Sequence, residues 1–370
     1  MKALGRTSAA GAVIASLEAP LLIAVGSRVY SAALILMARQ LAHPAATWPL
    51  HTADTSPLVA WDGQWYLGIA ATGYHAQPIC VDHCLHDFAF LPGWPLLLRL
   101  VSLGGAVDAG LAGAVLANLL FIAAAVLLFV AARPVFGVDA ATRGLLLFSF
   151  GPAAYVGSLS YSESLFLLLV AIFFVARRPG IAPGLAAFGA QLVRVTGVTL
   201  AGVAVAEAWV ARGRQRRAWM LLTVAPFVAL GLWCLYVAAL TGNPFGMMEG
   251  TPDWYRYVAG GPGVASLPTA LAQVPILAWL TVLILLVYVG AAVAVAPLSV
   301  PLGAFVVLTL ATALLGDWHS MARYLLPAFP VPMVVARYTG RRGTPLVWAL
   351  GAVMQAVFVA GVIGAAVVAP

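Results

Sequence analysis

The chain has 370 residues, 63% of them hydrophobic and only 8% charged, with a formal net charge of +7. A mean hydropathy of +1.01 excludes a soluble globular domain, and apolar runs of roughly 17–25 residues recur from end to end, as in an all-α polytopic membrane protein. The alternation of an outer-membrane barrel is missing, no strand–glycine loop–helix unit offers a nucleotide site, and the positive charge reads as membrane topology rather than nucleic-acid binding.

The first apolar run, 16–38, follows Lys2 and Arg6 and continues past any small-residue cleavage site. It reads as a retained span with a cytoplasmic N-terminus. Further spans are expected at 109–132, 143–157, 160–176, 218–240, 271–296, 298–315, 322–338 and 345–368. Two segments are ambiguous. Residues 88–103 (FAFLPGWPLLLRLVSL) are apolar but carry two prolines and Arg99, and 181–211 reads as one long helix or two short ones meeting near Arg194.

The positive-inside rule arbitrates. The loops carrying Arg133 and Arg143, Arg177 and Arg178, Arg212 to Arg217, and Arg337 to Arg342 all become cytoplasmic if 88–103 lies along the outer surface and 181–211 enters and leaves on the cytoplasmic side. Thirteen of the 19 basic residues then face the cytoplasm. A crossing by 88–103 would instead move the Arg133/Arg143 loop outside. Residues 1–370 thus form one integral membrane domain of about 9–11 spans, with two large outer loops, 39–87 and 241–270. The bias toward Ala, Gly and Arg suggests a GC-rich genome and a bacterial plasma membrane.

The polar groups sort to the outer side. WDGQWYLGIAATGY, from Trp61, predicts an interfacial helix with Trp61, Trp65 and Ile69 on one stripe, Asp62 at its start and Gly73 closing it. Asp62 reads either as a helix cap or as a working carboxylate. FAFLPGWPLLLRL places Phe90, Trp94 and Arg99 on a proline-broken amphipathic stretch. SYSESLF puts Glu163 among small hydroxyls at the outer end of a span. RVTG puts Arg194 in an apolar region, at the tip of a re-entrant hairpin or paired with Glu163. GDWHSMARYLLPAFP sets Asp317, His319 and Arg323 at an outer mouth, with His319 and Arg323 sharing a helical face. Charges at membrane depth cost a few kcal/mol on insertion scales, about 2.5–3.5 at a span's centre, and usually have a partner or a function. Cys80 and Cys84 read equally as a small disulfide or two free thiols. The spacing in CVDHCLHD matches no structural zinc pattern, so no metal or other cofactor is expected.

This ordered set of motifs, from WDGQWYLGIAATGY through FAFLPGWPLL, SYSESLF and RVTG to Arg323 and its following LPAFP, resembles the PIG-V (GPI mannosyltransferase II-like) family, which includes many bacterial members. FAFLPGWP stands where the family has AFFPLYP, and RVTG keeps the Arg and Gly of the usual RSNG. The resemblance implies a GT-C membrane glycosyltransferase taking a hexose, mannose by resemblance, from a polyprenyl-phosphate donor on the extracytoplasmic side. It also implies an essential acid in the first outer loop, matched here by Asp62. The residues fit independently: no nucleotide site exists, polar groups gather outside, and arginine forks suit phosphate.

The expected mechanism is inverting displacement. Asp62 is the base, and one or more of Arg194, Arg323 and Arg99 hold the leaving phosphate. Trp61, Trp65 and Tyr66 form a wall for the sugar. Glu163, Asp317 and His319 hold sugar or acceptor hydroxyls, the acceptor being a glycolipid, glycan or protein hydroxyl. A lipid or lipid-linked-sugar flippase would show inverted repeats or midplane polar sites, and no repeat is visible. A noncatalytic sugar-lipid binder would tolerate loss of Asp62.

Overall fold

The computed structural model describes residues 9–41, 56–80, 84–243, 245–248, 267–316, 318 and 320–364. Among the described residues, five helical segments are long and apolar enough to cross a membrane: Leu17–Gln40, Ala109–Phe136, Gly213–Thr241, Pro275–Val295 and Pro330–Ile363. Shorter apolar helices fill the space between them, and paired strands are confined among the described residues to one two-residue ladder. The chain is an all-α polytopic membrane protein.

The first helix, α1 (Ala9–Leu41), is followed by α2 (Asp62–Thr72) and the ladder β1 (Ile79–Cys80) with β2 (Cys84–Leu85). Cys80 and Cys84 face each other across the ladder and are joined as a disulfide, with Cα atoms 4.0 Å apart. Asp87 ties this loop back toward α2: its Oδ2 accepts from the His75 backbone N–H at 3.0 Å and lies 2.8 Å from His75 Nδ1. Burial pushes the Asp87 carboxyl up, and these contacts oppose that shift.

The doubtful 88–103 segment becomes α3 (Gly93–Val101), nine residues long. At 1.5 Å per residue it spans about 14 Å, too short to cross a bilayer. It packs on α2: Trp65, Tyr66, Phe90, Trp94 and Leu98 share one buried cluster. The long α4 (Ala109–Phe136) is capped by Asp108, whose carboxylate accepts from the Leu111 N–H at 2.5 Å.

The expected span 143–157 is broken. Helix α5 (Val138–Ser149) stops short of Gly151-Pro152, and a 3-10 turn follows over Ala154–Ser158. Proline removes a backbone donor and disfavours helix at the residue before it. Buried Arg28, from α1, donates to the freed carbonyls of Ala154 at 2.9 Å and Ser149 at 3.4 Å, and its guanidinium lies 3.7 Å from the Phe121 ring centroid. Irregular backbone at this depth is thus satisfied inside the protein.

Helix α6 (Glu163–Val175) leads to the two short helices α7 (Ile181–Val193) and α8 (Thr199–Val210). Arg194 breaks them with extended backbone (φ −147°, ψ 142°), giving the paired-helix form expected of 181–211. Helices α9 (Gly213–Leu222) and α10 (Val224–Thr241) follow, then α11 (Leu267–Gln273), α12 (Pro275–Val295), α13 (Val300–Leu315), the short α14 (Met321–Leu325) and α15 (Pro330–Val359).

The stretch α15 is two helices, not one rod. Gly340 has φ 61° and ψ −169°, a conformation that glycine tolerates and helices do not. A straight 30-residue helix would run about 45 Å. Yet Arg323 reaches Asp62, and the Val362 carbonyl accepts from the neighbouring Trp61 indole at 3.2 Å. The chain therefore reverses at Gly340, matching the two separate spans expected there.

Candidate active site

Four separated elements bring their charged groups to one place. Asp62 is the first residue of α2, Glu163 the first of α6, Arg194 the break between α7 and α8, and Arg323 lies in α14. Arg323 uses both edges of its guanidinium: Nε donates to Glu163 Oε1 and Nη2 donates to Asp62 Oδ2 at 2.5 Å. Arg194 Nη1 donates to the same Glu163 Oε1 and to Ser162 Oγ at 3.3 Å. Two acids and two arginines form one chain of contacts, Asp62–Arg323–Glu163–Arg194.

Burial is graded along that chain. The Glu163 side chain is 2% exposed, Arg323 6%, Arg194 11% and Asp62 25%. Asp62 is thus the charged member most open to an incoming molecule. Glu163 Oε2 is buried without a hydrogen-bond partner among the described residues.

Aromatic rings wall the cluster. The Arg323 guanidinium lies 4.9 Å from the Tyr161 ring centroid, and that of Arg194 lies 5.9 Å from the Tyr324 centroid. Both contacts are within cation–π range. The Tyr66 hydroxyl is 2.9 Å from Ser162 Oγ. Trp65 is 2% exposed and stacks on Phe90 with centroids 5.7 Å apart, so its ring is spent in packing α2 on the segment before α3. Trp61 is only partly buried.

The structure thus brings together Asp62, Glu163, Arg194 and Arg323, with Trp61 and Tyr66 beside them. It does not bring Arg99. That side chain is exposed and donates at 3.4 Å to the Ala70 carbonyl, eight residues along α2 from Asp62 and so about 12 Å along its axis. Arg99 lines a groove of about 340 Å³ with Ile69, Pro95, Leu192, Trp233 and Tyr236. Asp317 and His319 lie outside the described residues, as does most of the stretch 241–270 expected to be an outer loop; Trp318 and Ser320, their neighbours, are buried. Sequence reasoning named the acids and arginines but gave no role to Tyr161 or Ser162, whose only signal was their place beside Glu163.

Both guanidiniums donate to one carboxylate oxygen, and among the described residues the two arginines of this chain of contacts balance Asp62 and Glu163 in formal charge. It presents forked cations beside a partly exposed carboxylate, in a setting where most water is excluded. Such a set can receive a proton at Asp62 and an anionic group at the arginines.

No curated protein and no solved structure matches the chain. The family model described as Mannosyltransferase (PIG-V) matches residues 22–222, which include Asp62, Glu163 and Arg194, while Arg323 comes from beyond the matched span. That match covers more than half of the 370 residues, and the chain belongs to the PIG-V mannosyltransferase family.

Proposed function

We propose that the protein transfers a mannosyl residue from a polyprenyl-phosphate-linked donor to a hydroxyl on a glycolipid, glycan or protein, at the extracytoplasmic face of a bacterial plasma membrane. Family membership supports mannosyl transfer itself. The observation that supports a phosphate-linked donor and a carboxylate base is the Asp62–Arg323–Glu163–Arg194 chain, a carboxylate and two phosphate-matching forks within one buried cluster.

In the proposed reaction the acceptor oxygen attacks the anomeric carbon as the bond from that carbon to the phosphate oxygen breaks. The electron pair leaves with the polyprenyl phosphate, and the acceptor proton passes to Asp62. One base and no carboxylate nucleophile gives inversion at the anomeric carbon. Arg323 and Arg194 offer N–H groups to the leaving phosphate. Arg323 is paired with Asp62 at 2.5 Å in this structure. A donor phosphate competes for that fork, so its arrival opens the pair and frees the carboxylate for the acceptor hydroxyl.

Glu163 keeps both arginines in reach, and its second oxygen, unpaired among the described residues, is the proposed acceptor for a sugar or acceptor hydroxyl. Asp317 and His319 are proposed for the same task. Trp61 supplies the apolar wall for the sugar ring, with Tyr66 beside it and Trp65 packed behind. Arg99, about 12 Å along α2 from Asp62, takes no part at the reacting phosphate.

The test is transfer from labelled polyprenyl-phosphate mannose in reconstituted vesicles, with a total lipid and glycan extract as acceptor pool. Asp62→Asn is expected to lose about 10²–10⁴-fold in rate, the usual contribution of a general base. Equal product from the native protein and Asp62→Asn would remove Asp62 from the mechanism.

A further inference from the structure

We infer that Tyr161 is a positioning residue for Asp62, holding the backbone turn that presents the carboxylate. The inference rests on the proposed reading of Asp62 as base. Trp61, the residue before Asp62, has φ 55° and ψ −119°. Bulky side chains avoid positive φ, and such a conformation persists only where its surroundings over-determine it. The surroundings of Trp61 are specific. The Tyr161 hydroxyl donates to the carbonyl of Ala60, one residue before the turn, at 2.7 Å. The Tyr161 ring also lies against Gly63, one residue after Asp62, where an added Cβ would come within 3.4 Å of the ring.

The segment bearing Tyr161 is itself anchored. Ser160 N–H donates to the Leu58 carbonyl at 2.8 Å, and the Ser160 carbonyl accepts from Trp94 of α3 at 3.1 Å. From the opposite end of the chain, Val362 accepts from the Trp61 indole. Tyr161 is fully buried. Its hydroxyl grips the turn before Asp62 while its ring carries Arg323, the cation paired with Asp62, at 4.9 Å. One side chain therefore sets both the carboxylate and its partner.

Tyr161→Phe keeps the ring and removes only the hydroxyl. The comparison variant is Tyr30→Phe, which removes a bond of the same kind (Tyr30 hydroxyl to Ala352 carbonyl, 2.8 Å) between helices outside the cluster. Two readouts apply, both in reconstituted vesicles. Amide exchange of the peptide covering Val59–Trp65 is expected to rise about tenfold in Tyr161→Phe and to stay native in Tyr30→Phe, matching a lost bond of about 1 kcal/mol or slightly more. The kcat for mannosyl transfer is expected to fall about tenfold, with donor KM changed less than about twofold, because the loss is in presentation of the base.

Native exchange and native kcat in Tyr161→Phe would overturn the inference, as would equal changes in Tyr30→Phe. The exchange readout needs no turnover. An inactive Asp62→Asn with a normal Tyr161→Phe would sink the positioning role alone. An active Asp62→Asn would sink the base while exchange still judged the clamp.

Discussion

Arg323 offers two hydrogen-bonding edges and the structure uses both, one for Glu163 and one for Asp62. Lysine carries the same charge on a single point and cannot bridge two carboxylates in a fixed plane. Arg323→Lys is expected to leave the chain folded and to lower kcat about 10²–10³-fold, the scale of losing one preorganised donor, measured in the vesicle transfer assay. Glu163→Gln acts differently. It removes the carboxylate that both Arg194 and Arg323 contact, and removing one partner of a buried pair costs about 3–5 kcal/mol. A lowered melting temperature in detergent, with transfer by the remaining folded protein reduced as well because the two arginines lose their shared anchor, is the expected result. The charges themselves were legible in the sequence, because an acid or arginine amid apolar residues is conspicuous. Their pairing was legible only in part. Glu163 with Arg194 was a sequence-level option, since 31 positions is one helical hairpin. Asp62 with Arg323 spans 261 positions, and no local periodicity encodes a contact of that range.

The elements that carry these residues are short and held at their ends. Helix α3 enters hard against the end of α7: a Cβ on Gly93 would stand 2.7 Å from Val193 Cγ2 and 2.9 Å from the Leu192 carbonyl. Backbone cannot yield as a side-chain tip can, so Gly93→Ala must push α3 away from the α7 end that leads into Arg194. The expected loss is about 1–3 kcal/mol, the usual effect of overpacking, together with reduced transfer; a melting temperature equal to native would refute the close approach. Breaks of this kind were partly visible in the sequence. Prolines 92 and 95 left a full span at 88–103 in doubt and the arginine distribution argued against it, and Arg194 in RVTG made a split of 181–211 one of two readings. The end of α5 was misread because the apolar run continues to Val156. Hydropathy registers that run, while the Gly151-Pro152 step that stops the helix adds almost nothing to it. Two of the acceptors of Arg28 were invisible for a related reason: they are backbone carbonyls, which every sequence position offers equally.

Across the whole molecule, charge is sorted by end. Helices α6 and α8 both lead away from the acid–arginine cluster, α6 from Glu163 toward Arg177 and Arg178, α8 from beside Arg194 toward Arg212 to Arg217. Phe173 and Trp219, with ring centroids 5.7 Å apart, set those two turns near each other. The first limb of α15 likewise leaves the site and reverses at Gly340. There Arg143 donates to the Ala336 carbonyl at 2.7 Å, and Asp139 pairs with Arg341 at 3.2 Å. The basic turns are thus remote from Asp62, which is the separation that the positive-inside rule requires if the site is extracytoplasmic. Exposed single cysteines test it in right-side-out vesicles, in a Cys234→Ala background that keeps the Cys80–Cys84 disulfide. With a membrane-impermeant maleimide, Gln77→Cys is expected to label at once, and Arg178→Cys and Arg341→Cys only after permeabilisation. The reverse pattern would put Asp62 on the cytoplasmic face. There a polyprenyl-linked donor would lose its rationale, because nucleotide sugars are at hand on that side and the cation-lined cluster would face the wrong supply of substrate.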